Sequence, residues 1–252
     1  MAQGNLAGKT ALITGGSRGL GRAMAVALAA EGAAIALVAR DAEKLKESAA
    51  AVEAAGGKAS LHLADVADEG QVAALEREIA AKYGKIQILI NNAGINLRKG
   101  ITEFTLEEWN RVINTNLTSV FLMCRAFVPH LRGQGWGRII NMTSIMSHVS
   151  LPGRAAYSST KTALLGMTRA LALELAPDGI TVVGISPGPF GTEMNTALMQ
   201  NPEINAQFLS KIPVGRWGKV EEIGALARFL CSDEAGFITG TDILIDGGWT
   251  AQ

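Results

Sequence analysis

The sequence shows no excess of charge of either sign, since 23 Lys and Arg residues balance 23 Asp and Glu residues among 252. Proteins that bind nucleic acid draw much of their affinity from clustered basic residues that neutralise phosphates. Here basic and acidic residues alternate along the chain, so we expect no nucleic-acid partner. Hydrophobic residues make up 48% of the chain, which excludes intrinsic disorder and allows a large core without disulfides.

Cysteines and long apolar runs are also scarce. Cys124 and Cys231 lie far apart and show no CxxC spacing. The longest uninterrupted apolar run covers residues 23–30, well short of the roughly 20 residues that span a bilayer. Residues 1–10 do not pair a charged segment with an apolar one, as a secretory signal does. These absences predict a protein of the reducing cytoplasm with no membrane partner.

The chain has only three histidines, His62, His130 and His148, and none lies at a metal-binding spacing from another. We therefore expect no catalytic metal. Glycine, in contrast, is abundant, with 29 residues against a typical share of roughly 7%. The glycines cluster at the ends of apolar segments, which indicates tight turns between many short elements.

Seven short segments rich in apolar and β-branched residues have the length of strands and mostly lack polar alternation. They are residues 10–14, 34–38, 59–63, 86–90, 138–141, 180–185 and 242–245. Helical patterns alternate with them at residues 20–30, 42–54, 69–83, 106–131, 154–176 and 220–231. Continuous apolar strands are typical of a parallel sheet with helices on both faces. The alternation predicts an α/β fold, a single doubly wound domain over residues 1–252 with about seven parallel strands. Residues 187–213 interrupt the pattern, and we expect a lid or substrate loop there.

The first predicted strand leads into a helix through residues 14–21, which read TGGSRGLG. A glycine-rich turn between a buried strand and a helix lets the backbone approach a pyrophosphate, which the helix N-terminus attracts. This context predicts a Rossmann dinucleotide site. Its residues in the turn are Gly15, Ser17, Arg18, Gly19, Leu20 and Gly21.

The end of the second strand predicts which dinucleotide binds. An NAD site places Asp or Glu there to bind the adenosine ribose, whereas this chain has Arg40, with Arg18 in the glycine turn. Two guanidinium groups suit a 2′-phosphate, so we expect NADP, with NADPH preferred over NADH. The alternative is that Arg40 pairs with Asp41 or Glu43 on the surface. After the third strand, Asp65 and Val66 are candidates for contact with the adenine.

Four further segments complete a resemblance to the short-chain dehydrogenase/reductase family. They are NNAG at residues 91–94, Asn116 in NTNL, Ser144 followed by YSSTK at residues 157–161, and Pro187 and Gly188 with Thr192. The resemblance covers almost the whole chain and implies an NAD(P)-dependent oxidoreductase. It also implies that Asn92, Ala93, Gly94, Pro187, Gly188 and Thr192 contact the cofactor.

Tyr157 and Lys161 are four residues apart, so a helix places them on one face. A free tyrosine titrates near about pH 10, and an adjacent ammonium is expected to lower that pKa, which makes Tyr157 the candidate general acid and base. The family resemblance implies that Lys161 also holds the nicotinamide ribose and that Ser144 binds the substrate oxygen. It implies that Asn116 anchors a proton-relay water. Ser147 and Asn114 are rivals to Ser144 and Asn116.

The substrate is weakly encoded, because it is bound by loops. After NNAG the chain reads INLRKG, which resembles gluconate 5-dehydrogenase-like members of the family. Arg98 would then meet the carboxylate of a sugar acid. The alternative is a 3-oxoacyl-(acyl-carrier-protein) reductase, although those enzymes typically carry the arginine one position earlier. His148, four residues beyond Ser144, is a second candidate for substrate contact.

We therefore expect an enzyme that interconverts a secondary alcohol and a ketone by hydride transfer on a small molecule, a sugar acid or related polyol. A catalytically silent NADPH sensor is a remote alternative, since the four catalytic residue types are all present. The resemblance further implies a homotetramer. The long predicted helices at residues 106–131 and 154–176 carry enough apolar residues to pair across a two-fold axis.

Overall fold

The computed structural model describes residues 5–252, within which seven strands form one parallel sheet. The strands are β1 Thr10–Thr14, β2 Ala34–Ala39, β3 Lys58–Leu63, β4 Ile88–Asn91, β5 Gly137–Met142, β6 Ile180–Pro187 and β7 Asp242–Ile245. Their order across the sheet is β3-β2-β1-β4-β5-β6-β7. The predicted α/β fold is confirmed, with strand boundaries within two residues of those expected from the sequence.

Nine α-helices connect the strands. Within the described residues they are α1 Gly19–Ala30, α2 Ala42–Ala54, α3 Glu69–Tyr83, α4 Leu106–Ile113, α5 Ser119–Leu131, α6 Ala155–Leu175, α7 Thr196–Gln200, α8 Pro202–Leu209 and α9 Val220–Leu230. None of them is long and apolar enough to cross a membrane. Cys124 and Cys231 are buried free thiols, and burial raises the pKa of each to about 12.

The sheet is buried on both faces because its central strands alternate between two apolar clusters. Ile13 of β1 packs with residues of α1, α2 and α9, whereas its neighbour Leu12 packs with residues of α3, α5 and α6. Successive side chains of a strand point to opposite faces, so a strand with two apolar faces reads as a continuous apolar run. This arrangement explains why β1, β4 and β5 are fully buried.

The strand order reverses between β1 and β4. The chain builds β1, β2 and β3 outward in one direction and then crosses to place β4 on the other side of β1. Loops leaving the carboxyl ends of β1 and β4 therefore diverge and leave a crevice, which is where doubly wound sheets bind ligands.

The predicted helix over residues 106–131 is interrupted by a π-helical turn at Asn114–Thr118. Asn116, at the centre of this turn, is fully buried, and its carboxamide bonds the backbone of Ile95 in both directions. π-turns inserted in α-helices often mark functional sites. The sequence pattern missed the turn because the apolar periodicity of α4 and α5 continues through it.

Residues 187–213 are more regular than predicted. They contain α7 and α8, and α8 begins where the Asn201 side chain accepts hydrogen bonds from the N–H groups of Glu203 and Ile204, both at 3.1 Å. Proline at the first helical position, Pro202, completes a favoured helix start. Short helices fixed by capping carry too little periodicity to be recognised from apolar spacing.

Candidate active site

One cavity of about 540 Å³ occupies the crevice at the carboxyl end of the sheet. It brings together nearly all of the residues predicted from the sequence. Those on its wall are Gly15, Ser17, Arg18, Gly19, Leu20, Arg40, Asp65, Val66, Asn92, Ala93, Gly94, Arg98, Ser144, Tyr157, Lys161, Pro187, Gly188 and Thr192. Gly21 and Asn116 lie behind the wall, and His148 lies away from it.

The glycine turn has the open backbone that a dinucleotide requires. Gly19 adopts a φ of 53°, and a Cβ there would meet nothing closer than Thr192 at 3.8 Å. A Cβ at Gly21, in contrast, would overlap the carbonyl oxygen of Gly15, so this glycine lets α1 pack against the turn. The N-terminus of α1 has no capping side chain and no acidic residue in its first turn. Its N–H groups remain available to an anion, which fits a pyrophosphate.

The NNAG loop and the glycine turn form one hydrogen-bonded unit. The Asn92 amide donates to the carbonyl oxygens of Thr14 at 2.9 Å and of Gly15 at 3.0 Å. The Thr14 hydroxyl accepts from the backbone N–H groups of Asn92 and Ala93 at 2.9 and 3.1 Å. The loop is therefore more than a strand-ending turn, because it fixes the position of the phosphate-binding backbone.

The basic residues at the adenosine end are paired with carboxylates. Arg18 lies 2.8 Å from Glu193, and Lys44 reaches the same carboxylate oxygen at 3.2 Å. These two cations hold the pKa of Glu193 below its usual range. Arg40 pairs with Asp65 at 3.2 Å. The alternative from the sequence, a pair with Asp41 or Glu43, is not formed.

Sequence reasoning missed Lys44 and Glu193. Lys44 lies in the first turn of α2, four residues after Arg40, and a second basic residue so close to the end of β2 was an available signal. Glu193 had no signal, because its pairing with Arg18 joins positions 175 residues apart.

Tyr157, Ser144 and Lys161 meet at the opposite end of the cavity. Tyr157 and Lys161 share one face of α6, with the Lys161 Nζ 5.7 Å from the centroid of the Tyr157 ring. That ammonium donates to the carbonyl oxygen of Met142, at the end of β5. Ser144 follows β5 directly, and its hydroxyl accepts from the N–H of Met146 at 3.1 Å.

The pKa of Tyr157 differs from the expectation that Lys161 lowers it. Burial raises the pKa of the phenol above its ordinary value, and the Ser144 hydroxyl and the Arg154 and Arg98 guanidiniums oppose that rise. Burial also lowers the pKa of Lys161 to about 8. The Lys161 ammonium is therefore directed at a carbonyl oxygen, and the cations that act on the phenol are arginines.

Asn116 connects the π-turn to this site. Its amide donates to the Ile95 carbonyl at 2.9 Å and to the Thr160 hydroxyl at 3.2 Å, while its carbonyl accepts from the Ile95 N–H at 2.8 Å. A Cβ at Gly94 would lie 3.3 Å from the Asn116 oxygen and 3.7 Å from the Lys161 Nζ. Asn116 and Lys161 therefore flank the same glycine.

The rival residues lie elsewhere. Asn114 is exposed and accepts from the Thr118 hydroxyl at 3.3 Å, and Ser147 is absent from the cavity wall. His148 points to β7, where its Nε2 lies 2.7 Å from Asp242. The prediction that His148 faces substrate is therefore not supported, because the Asp242 carboxylate holds its ring.

Arg98 lies on the cavity wall beside the tyrosine. Its Nη2 is 3.4 Å from the Asn195 side-chain oxygen, and it forms no salt bridge with a described residue. The sequence analysis assigned no role to six further residues of the cavity wall: Asn96, Leu151, Arg154, Asn195, Phe208 and Trp249. Within residues 5–252 no group of three His, Cys, Asp or Glu residues has the geometry of a metal site.

Known proteins match this chain over nearly its full length. A family model described as enoyl-(acyl carrier protein) reductase matches residues 15–250. The chain is 39% identical over 252 residues to gluconate 5-dehydrogenase of Gluconobacter oxydans, covering 98% of this chain and 97% of that protein. It is 38% identical over 241 residues to a 3-oxoacyl-(acyl-carrier-protein) reductase of Staphylococcus aureus, covering 95% and 97%.

A solved structure extends the likeness to three dimensions. The gluconate 5-dehydrogenase of Burkholderia cenocepacia, in complex with NADP and tartrate, superposes with a TM-score of 0.93 at 37% identity, covering 98% of this chain and 97% of that one. The fold, the order of motifs and these matches over nearly the full length lead to one assignment. The chain belongs to the short-chain dehydrogenase/reductase family, and it is an NAD(P)-dependent oxidoreductase acting on CH–OH groups.

Proposed function

We propose that this enzyme uses NADP(H) to interconvert a secondary alcohol and a ketone on a sugar acid or a related polyol, as a gluconate 5-dehydrogenase does. The observation that carries the proposal is Arg98, which lines the same cavity as Tyr157 and Ser144 and has no carboxylate partner within residues 5–252. The similarity to gluconate 5-dehydrogenases supports it.

In this proposal Tyr157 exchanges the proton and Ser144 holds the reacting oxygen. The cofactor, when bound, supplies the hydride donor or acceptor, and the protein supplies placement. In the reduction direction the Tyr157 phenol donates its proton to the carbonyl oxygen, which the Ser144 hydroxyl orients by a hydrogen bond. Burial raises the pKa of the phenol and so favours its neutral form, which is the form that donates the proton in this direction. In the oxidation direction the same group must first lose its proton.

Lys161 and Asn116 support that exchange. We assign Lys161 to the nicotinamide ribose, which its ammonium would bind, and Asn116 to a water beside Lys161 that relays the proton. The position of Asn116 within the π-turn supports its role, since the turn holds its carboxamide next to Gly94 and Lys161.

The cofactor site we assign runs from the glycine turn to Thr192. The N-terminus of α1 would hold the pyrophosphate, and Asp65 and Val66 would contact the adenine. Arg18 and Arg40 would bind the 2′-phosphate, and Pro187, Gly188 and Thr192 would contact the nicotinamide. Arg18 and Arg40 are positioned for this role by their pairs with Glu193 and Asp65.

A 3-oxoacyl-(acyl-carrier-protein) reductase is the second candidate, because the Staphylococcus aureus enzyme is nearly as similar in sequence. The position of Arg98 favours the sugar acid, since a β-ketoacyl thioester has no carboxylate near its reacting carbon. We also propose that residues 1–252 act as one domain in the cytoplasm and assemble as a homotetramer. The exposed Phe121 on α5 and Leu173 on α6, at 48% and 81%, support helix pairing between copies.

The first prediction concerns cofactor choice. NADPH binds more tightly than NADH by about 1–3 kcal/mol, the range of charge-assisted contacts to a phosphate. Titration of both cofactors by fluorescence measures the difference, and Arg40→Asp reverses the ranking. Lys46→Gln is the matched control, because it removes a charge from α2 at a position outside the cavity. Equal affinities in the wild-type enzyme contradict the assignment of Arg18 and Arg40.

The second prediction concerns the proton donor. Tyr157→Phe abolishes turnover and leaves NADPH affinity nearly unchanged, because the lost hydroxyl acts in the transition state. Lys161→Ala lowers both the turnover rate and the affinity for NADPH. Tyr83→Phe is the control, since it removes the other tyrosine hydroxyl, which bonds Ser60 outside the cavity, and it retains full activity. A Tyr157→Phe enzyme that keeps more than about a tenth of its rate refutes the role, since general-acid catalysis contributes roughly 10²- to 10⁴-fold.

The third prediction concerns Arg98. Arg98→Ala lowers kcat/KM for sugar acids by an amount that corresponds to roughly 2 kcal/mol or more of transition-state stabilisation, because the substitution leaves the desolvated substrate carboxylate unpaired. The kcat/KM for neutral polyols is unaffected. Lys99→Ala removes the same charge from the same loop, but Lys99 already pairs with Glu108, so it affects neither substrate class. Equal losses for acids and polyols, measured by NADPH absorbance, argue against the sugar-acid function.

A further inference from the structure

Arg154 is a buried cation on the cavity wall that the motifs did not identify. It stands at the N-cap of α6, three residues before Tyr157, and its residue surface is only 8% exposed. Its Nη1 is buried and has no hydrogen-bond partner among the described residues. A buried donor without a partner destabilises the folded protein, and a charged one does so more strongly, so such a group needs a reason to persist.

The start of α6 departs from the usual rules for helix ends. Helix N-termini favour Ser, Thr, Asp or Asn at the N-cap and acidic residues in the first turn, because the helix dipole is positive there. The α6 helix has arginine at its N-cap, no capping side chain and no acidic residue in the first turn. Positive charge is therefore concentrated at one point, and departures of this kind are expected at functional sites.

Arg98 and Arg154 approach the same region from two loops. The Lys99 N–H donates to the Gly153 carbonyl at 3.3 Å, so the residues next to the two arginines are bonded directly. Each arginine influences Tyr157, and burial together with Arg98 lowers the pKa of Arg154 to about 10. The carboxylates on the cavity wall, Asp41, Asp65 and Glu193, form no salt bridge with either arginine.

We propose that Arg154 is the buried anchor for the substrate carboxylate and that Arg98 closes on the same group from the more exposed side. This inference rests on the proposed function and extends it by naming the residue that orients an acid. A guanidinium binds a carboxylate through two parallel hydrogen bonds, which fixes the rest of the molecule against Tyr157.

Binding of tartrate to the enzyme–NADPH complex tests this anchor, because reduced cofactor prevents oxidation of the ligand. Calorimetry compares tartrate with threitol, its neutral counterpart, in wild type, Arg154→Gln and Arg154→Lys. We expect Arg154→Gln to weaken tartrate about 10- to 100-fold and to leave threitol within about twofold. Arg154→Lys keeps the charge without the planar fork and recovers only part of the affinity. Tartrate binding that changes less than about threefold in Arg154→Gln, or that is absent from wild type, overturns the proposal.

Thermal stability separates substrate binding from a structural role. Arg154→Met removes a buried charge that has no carboxylate partner among the described residues, so we expect an unchanged or higher Tm. Functional residues commonly lower the stability of a protein in this way. A lower Tm together with unchanged tartrate affinity would make Arg154 structural and overturn the anchor. Gluconate and glucitol, tested in parallel, address the proposed function separately. If wild type binds both equally while tartrate still depends on Arg154, the anion anchor stands and the sugar-acid function fails.

Discussion

Burial of positive charge without carboxylate partners is the constraint on which the substrate end of the cavity depends. Lys161 is 4% exposed and Arg154 is 8% exposed, and neither forms a salt bridge among the described residues. Burial lowers the pKa of both, so each group is destabilised in its charged form until something anionic approaches. At the adenosine end Arg18, Arg40 and Lys44 are paired with carboxylates. The cations at the adenosine end of the cavity are therefore neutralised by carboxylates of the protein, whereas Lys161 and Arg154 at the substrate end are not.

The fold supplies the rigidity that such a site requires. The Asn92 amide bonds the glycine turn, so the backbone that faces the cofactor is fixed from two strands at once. Asn116 links the loop after β4 to α6 in the same way, from a π-turn that interrupts an otherwise continuous helix. Both asparagines are bonded chiefly to backbone, which fixes the geometry of the loops more than that of any one side chain.

The sequence predicted the elements whose signals are local. The apolar strands, the glycine turn and the placement of Tyr157 and Lys161 on one helix face each follow from a short window of residues. The π-turn was missed because the apolar periodicity of α4 and α5 continues through it, and the pairing of Arg18 with Glu193 was missed because it spans 175 residues. The surroundings of His148 could not be predicted, because proximity to Ser144 in sequence does not reveal its bond to Asp242. Arg154 was overlooked beside a strong motif, although an arginine at an N-cap is itself a signal.

The central claim is that Tyr157 exchanges the substrate proton from a buried site that favours its neutral form. The pH dependence of kcat/KM in both directions tests it most directly. The account predicts that oxidation accelerates with rising pH between about 6 and 9, approaching tenfold per pH unit, because it requires the deprotonated phenol. Reduction stays level over the same range, because the phenol is already protonated. Oxidation that is level between about pH 6 and 9, with reduction that falls about tenfold per pH unit, would mean that the group is already deprotonated there and would contradict the account.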